Sequence, residues 1–156
     1  MSDAGRTTIN DLVAAARRRL DRVAPRHALC AARQGAVLVD IRSDGQRQRD
    51  GLIPGARVCP RNVLEWRVDP ASRRCDPAFG GDFDRRIILV CDEGYQSSLA
   101  AATLQDLGFA RATDLEGGFQ AWRAAGLPVK RPRDAERDRG RHSTEAPSSR
   151  IERAPH

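Results

Sequence analysis

The sharpest change of pattern along the chain falls between Arg86 and Leu107. Ile87-Ile88-Leu89-Val90 is a continuous apolar run, short enough for a strand and apolar enough to be covered on both faces. Cys91-Asp92-Glu93-Gly94-Tyr95-Gln96-Ser97-Ser98 follows as a polar loop. Leu99 to Leu107 then reads as a strong helix former that stops at Gly108. A strand, a tight loop opening with cysteine and a helix start place a nucleophile among unpaired backbone N–H groups. Those groups and the positive end of the helix dipole favour an anion such as a thiolate. The plainer alternative is that Cys91 is a small buried residue closing a strand. Its place at the carboxyl end of a strand, where open α/β sheets put their sites, favours a functional Cys91.

The same reading extends to the rest of the chain. Leu12, Val13, Ala16, Leu20 and Val23 make an apolar stripe at helical spacing, with Thr8 or Asn10 placed to cap it and Pro25 to end it. Arg26 to Arg33 predicts a second short helix presenting Ala28, Leu29 and Ala32, with Cys30 as a core residue and Gly35 closing it. Ala36 to Arg42 is the first clear strand. Asp40 and Arg42 share a side at its carboxyl end, as an ion pair that anchors a loop or as part of a site. Ser43 to Asp50 is a helix or a loop, and Ala56 to Cys59 a short strand stopped by Pro60. Asn62 is placed to cap a helical turn through Val63, Leu64 and Trp66. Phe109 to Leu115 predicts a last strand, Glu116-Gly117-Gly118 a turn, and Phe119 to Ala125 a final helix with Trp122 in the core. From Val129 onward no apolar periodicity survives, so disorder is expected.

Composition narrows the function. Aromatic residues make up only 4% of the chain, so the core is expected to be aliphatic and alanine-rich. The net charge of +6 invites a nucleic-acid partner, but eight basic and five acidic residues mix from Val129 to the end, with no aromatic to stack on bases. A solvated mixed-charge surface is the expectation, with no nucleic acid and no membrane as partner. Cys30, Cys59, Cys75 and Cys91 form no Cys-x-x-Cys, and His27, His142 and His156 do not cluster, so neither a metal site nor a cofactor is expected. The N-terminus shows no basic region followed by an apolar stretch, and no apolar run approaches the ~20 residues of a membrane span. A cytoplasmic protein is expected.

Alternating strands and helices imply a parallel sheet wrapped on both faces, an α/β fold. Val39-Asp40-Ile41-Arg42, Gly51-Leu52-Ile53-Pro54-Gly55-Ala56, the loop Cys91 to Ser97, and Leu115-Glu116-Gly117-Gly118-Phe119-Gln120-Ala121-Trp122 follow one another in an order that resembles the single-domain rhodanese, or rhodanese-like sulfurtransferase, family. Arg61 to Arg67 resembles a bacterial subgroup of it. The resemblance covers residues 23–129, leaving 1–22 as an N-terminal helical extension and 130–156 as a disordered charged tail. It implies about five parallel strands flanked by helices. It also implies sulfur transfer through a persulfide on Cys91, from a small sulfur donor to a thiol or protein acceptor. The backbone of Asp92, Glu93, Gly94, Tyr95, Gln96 and Ser97 would bind the sulfur anion, with Gly94 at positive φ and Asp40 and Arg42 in support.

Two departures stand out. Gln96 occupies a position where active members often carry an arginine that binds anionic donors. Asp92 and Glu93 add negative charge that repels a dianionic donor, although side chains on such a loop are expected to face solvent. A rhodanese-like interaction module with weak or no activity is the alternative. The related dual-specificity phosphatases and arsenate reductases need a longer loop and an arginine, and this loop has neither.

Overall fold

The computed structural model describes residues 5–79 and 81–134. Most of the charged tail, from 135 onward, lies outside the described residues. Helix α1 (Ile9–Arg18) begins at Thr8, whose side chain accepts from the Asp11 backbone while the Asp11 carboxylate takes the Thr8 N–H. It buries Val13 and Ala16. The predicted stripe runs too far: the helix ends at Arg18, Leu12 is half exposed, and Val23 belongs to the sheet.

Helix α2 (Pro25–Arg33) opens with proline at its first turn, where no N–H is missed. Its buried face is carried by Ala28 and Ala31, and this phase turns Cys30 to solvent, not into the core. Strand β1 (Val37–Asp40) leads into α3 (Asp44–Asp50), which is helical because Ser43 and Gln46 close a capping box. Strand β2 (Arg57–Val58) precedes a 3₁₀ turn, Arg61–Val63, and α4 (Leu64–Val68). Asn62 lies inside that 3₁₀ turn and does not cap it; Leu64 and Val68 are buried and Trp66 is exposed. After a 3₁₀ turn, Pro77–Phe79, come strand β3 (Ile87–Val90), α5 (Gln96–Asp106), β4 (Ala112–Asp114) and α6 (Gly118–Ala124).

The sheet is wholly parallel, in the order β2-β1-β3-β4, with Val37 opposite Ile87 and Ile87 opposite Ala112. Among the described residues it has four strands where about five were expected. Val23 alone occupies the fifth position: its N–H donates to Asp114 O and its carbonyl accepts from Glu116. Pro25, two residues on, starts α2 and prevents a longer strand. At the other end Lys130 pairs with Leu52, so the ordered chain continues past Val129.

Alternate strand residues feed two cores. Val37, Val39, Ile87 and Leu89 meet Leu64, Val68, Ala100 and Leu104 on one face. Leu38, Ile88 and Val90 meet Ala28, Leu115, Phe119 and Trp122 on the other. Trp122 is buried, and its indole N–H donates to Pro128 O at 2.9 Å. The order of strands reverses between β1 and β3. That makes the crevice beyond their carboxyl ends the switch point where such sheets place ligands.

Candidate functional site

Cys91 is the first residue after β3 and stands at this switch point. The loop behind it folds back because Gly94 adopts φ of +85°, a conformation that disfavours any residue with a Cβ. As a result the Gly94 N–H donates to Cys91 Sγ at 3.1 Å and the Ser97 N–H at 3.4 Å. Two amides therefore point at one sulfur, with α5 starting beside it. The Cys91 thiol also meets Ser97 Oγ at 3.2 Å, and the Ser97 hydroxyl donates to Asp114 Oδ2 at 2.7 Å.

The Gly117-Gly118 turn closes the other side of the loop. The Phe119 N–H donates to Cys91 O and the Gln120 N–H to Asp92 O. A Cβ on Gly118 would lie 2.5 Å from Cys91 O, so the close approach requires glycine. Asp92 does not point freely into solvent as expected: its carboxylate accepts from Gln120 Nε2 at 3.0 Å and faces Arg49 at 3.8 Å. Glu93, Tyr95 and Gln96 are exposed.

A small open pocket of about 250 Å³ lies over the sulfur, lined by Gln46, Cys91, Asp92, Glu93, Tyr95 and Gln96. It is below the usual size of drug-like ligand sites and suits a small donor or the tip of an acceptor side chain. A larger cavity, about 640 Å³, adjoins the amino ends of β1 and β2 between Arg33, Arg57 and Arg85, and no cysteine lines it.

Asp40 and Arg42 line no part of the pocket over Cys91. They form a buried ion pair, with Arg42 Nε 3.0 Å from Asp40 Oδ1 and Nη2 2.7 Å from Oδ2. The Arg42 guanidinium stacks 3.7 Å over the Phe119 ring and also donates to Gly51 O. The pair thus packs against Phe119, whose N–H donates to the Cys91 carbonyl.

Several residues join the site without a signal in the sequence. Asp114 is fully buried and gathers Ser97, Ser98 and Arg22: Ser98 Oγ donates to Oδ2 at 2.8 Å and Arg22 Nε to Oδ1 at 2.9 Å. Arg17 and Arg22 both donate to Gly94 O, at 2.8 and 3.0 Å. Gln120 bridges Asp92 to Asp50. Asp50 accepts from Arg49, and this hydrogen bond, helped by Gln120 and Arg123, holds its carboxyl down at about 2 against the opposing effect of burial. Cys59 contrasts with Cys91: it is buried in the aliphatic core, and that burial pushes its thiol up to about 11. No group of three or more ligating side chains is placed to hold a metal ion among the described residues.

The rhodanese-like domain family matches residues 27–125. The chain is 37% identical over 103 residues to the thiosulfate sulfurtransferase GlpE of Pseudomonas fluorescens, covering 65% of this chain and 84% of that one. It is 30% identical over 99 residues to a sulfurtransferase of Allochromatium vinosum, covering 64% and 82%. Among solved structures it resembles a Rhodopseudomonas palustris protein of unknown function, a possible tyrosine phosphatase, with TM-score 0.74, 34% identity and 83% and 99% of the two chains covered.

Proposed function

Because this chain belongs to the rhodanese-like domain family, we infer that it is a sulfurtransferase in which Cys91 carries sulfur as a persulfide. The observation that supports this most strongly is the convergence of the Gly94 and Ser97 amides on Cys91 Sγ. Fixed N–H donors stabilise the charge that sulfur bears during transfer without having to reorganise. In the first half-reaction the Cys91 thiolate attacks the outer sulfur of a donor such as thiosulfate. A new S–S bond forms, the donor's S–S bond breaks, and sulfite leaves with its electron pair. In the second, a nucleophilic acceptor attacks the outer sulfur of the persulfide and Cys91 leaves as the thiolate.

The pocket's lining shapes donor choice. Gln96 offers hydrogen bonds but no charge, and Glu93 presents an exposed carboxylate at the mouth. A protein persulfide or neutral polysulfide fits this rim better than a dianion. Phosphoryl transfer fits it less well, because neither Gln96 nor Ser97 brings a guanidinium to the three oxygens of a phosphoryl group. No helix among the described residues is long and apolar enough to cross a membrane. The cytoplasm stays the expected compartment as part of this proposal.

Steady-state turnover tests the reading. Thiocyanate formation from cyanide above the uncatalysed rate is expected with an organic polysulfide, to a lesser extent with thiosulfate, and not in Cys91→Ser. Equal rates in Cys91→Ser and the wild type would refute it. A folded wild type that turns over no donor would favour the interaction module.

A further inference from the structure

The residues that match the family begin at 27, yet two arginines before that point reach the catalytic loop. Helix α1 packs on α5 and aims Arg17 at the loop from behind: Nη2 donates to Gly94 O at 2.8 Å and Nε to Ser98 Oγ at 3.2 Å. Its guanidinium also stands 5.3 Å from the Tyr95 ring. Arg22, between α1 and the Val23 bridge, donates to the same Gly94 carbonyl at 3.0 Å and grips Asp114 with Nε at 2.9 Å and Nη2 at 3.2 Å. One carbonyl oxygen thus accepts from two guanidinium groups, both tied to the network beneath Cys91.

This has a geometric consequence. Among the described residues no peptide is cis, and a trans peptide carries its N–H opposite its C=O. Holding the Gly94 carbonyl toward α1 therefore turns the Tyr95 N–H to the other side. The Gly94 and Ser97 amides of the same loop both point at Cys91 Sγ. The Tyr95 N–H, turned away from α1, would then join them in facing the outer sulfur of a persulfide on Cys91. There is an electrostatic consequence too. Position 96 is glutamine and the loop itself carries Asp92 and Glu93, so the cationic charge nearest the loop backbone comes from Arg17 and Arg22.

We propose, resting on the sulfurtransferase reading, that Arg17 and Arg22 are positioning residues of the sulfur-transfer site. They clamp the Gly94 carbonyl, aim the loop amides at the transferred sulfur, and supply from behind the positive charge that Gln96 lacks. The N-terminal segment is then part of the catalytic apparatus, not an appendage to the domain.

Arg17→Gln is the decisive variant, because it leaves the buried Arg22–Asp114 pair in place; Arg22→Gln and Arg17→Lys accompany it. Two quantities are measured: kcat/KM with cyanide as acceptor for thiosulfate and for a neutral dialkyl trisulfide, whose central sulfur the Cys91 thiolate attacks with loss of an alkyl thiolate, and the rates at which iodoacetate and iodoacetamide alkylate Cys91, read from its peptide by mass. Arg17→Gln is expected to lower thiosulfate kcat/KM by about tenfold, the order of one charge-assisted hydrogen bond. The loss with the trisulfide should be smaller, and the iodoacetate-to-iodoacetamide ratio should fall. Arg17→Lys should recover that ratio by restoring the charge. A merely structural role would slow both donors and both reagents alike and lower the melting temperature in step, which would overturn the proposal. So would wild-type kinetics and an unchanged ratio in Arg17→Gln. If the wild type accepts sulfur from neither donor, the sulfurtransferase reading fails; the alkylation ratio still decides for or against the arginine clamp.

Discussion

The Ser97 hydroxyl donates to Asp114 Oδ2 over 2.7 Å while its oxygen faces Cys91 Sγ at 3.2 Å. A carboxylate from the end of β4 thereby fixes the serine that touches the Cys91 thiol. The same carboxylate is held by Arg22 and Ser98 and has no access to solvent. Removing it leaves the Arg22 charge without its partner and Ser97 without an acceptor. Asp114→Ala is expected to cost on the order of 3–5 kcal/mol, the range for breaking a buried ion pair from one side. Ser97→Ala keeps the Arg22–Asp114 pair and should cost only about 1–2 kcal/mol. Urea denaturation of the two variants checks the order. A loss below 1 kcal/mol in Asp114→Ala would mean that the pair contributes no more than a surface contact.

The Gly-Gly turn should be intolerant at its second position. Gly118 has φ of +60°, and an added Cβ would collide with the Cys91 and Asp92 carbonyls at 2.5–2.7 Å. Both are backbone atoms that cannot swing aside. Gly118→Ala is expected to lose at least about 2 kcal/mol from strain and overpacking together, and to abolish sulfur transfer by pushing Cys91 off its amides. Gly45→Ala is the control, since its nearest foreign atom, Ser43 Oγ, would be 4.0 Å away. Comparable losses at the two positions would contradict this explanation.

Much of this site was legible in the sequence because it is local. Ile87 to Val90, the Cys91 loop, the helix after it and the positive φ at Gly94 depend on residues close together along the chain. Asp114 and Arg22 were not legible: they lie 92 positions apart, and only the packing of Val23 beside Leu115 brings them together. Arg17 was hidden for the opposite reason, as one of three consecutive arginines that differ only in the face of α1 they occupy. Cys30 shows the limit of reading residue type. It is apolar enough for a core, but the burial of Ala28 and Ala31 sets the phase of α2 and turns it outward. Asp92 was expected to face water, and what overrides this is Gln120, brought alongside by α6.

The rim charges should act on the donor. Glu93 is exposed, whereas Asp92 is engaged by Gln120 and faced by Arg49. Glu93→Gln should therefore raise thiosulfate kcat/KM more than Asp92→Asn does, by roughly two- to fivefold at low salt, with the gain shrinking as ionic strength rises. Gln96→Arg should act in the same direction by adding a fork that binds anions. Kinetics at two salt concentrations check this. A gain from Glu93→Gln that is equal for thiosulfate and a neutral trisulfide would rule out charge repulsion.

Acid should loosen the contact between α3, α6 and the loop. Asp50 sits at about 2 in the folded protein, mainly through its hydrogen bond with Arg49; an unfolded aspartate titrates near 3.9. The folded value is the lower one, so Asp50 contributes stability that is full above about pH 4 and is lost as pH falls toward 2. Asp50→Asn should flatten the pH dependence of unfolding in that window and leave the behaviour at neutral pH less altered. An unchanged slope between pH 4 and 2 would assign the acid sensitivity to other carboxylates.

The central claim is that Cys91 carries the sulfur. Its most direct test is the mass of the Cys91 peptide after the folded wild type meets thiosulfate or a polysulfide, followed by cyanide. The peptide is predicted to gain one sulfur atom and to lose it to cyanide, while the peptides of Cys30, Cys59 and Cys75 gain none that cyanide removes at a matching rate. A sulfur adduct that forms equally in Cys91→Ser, or a wild-type Cys91 that stays unmodified by every donor, would contradict it.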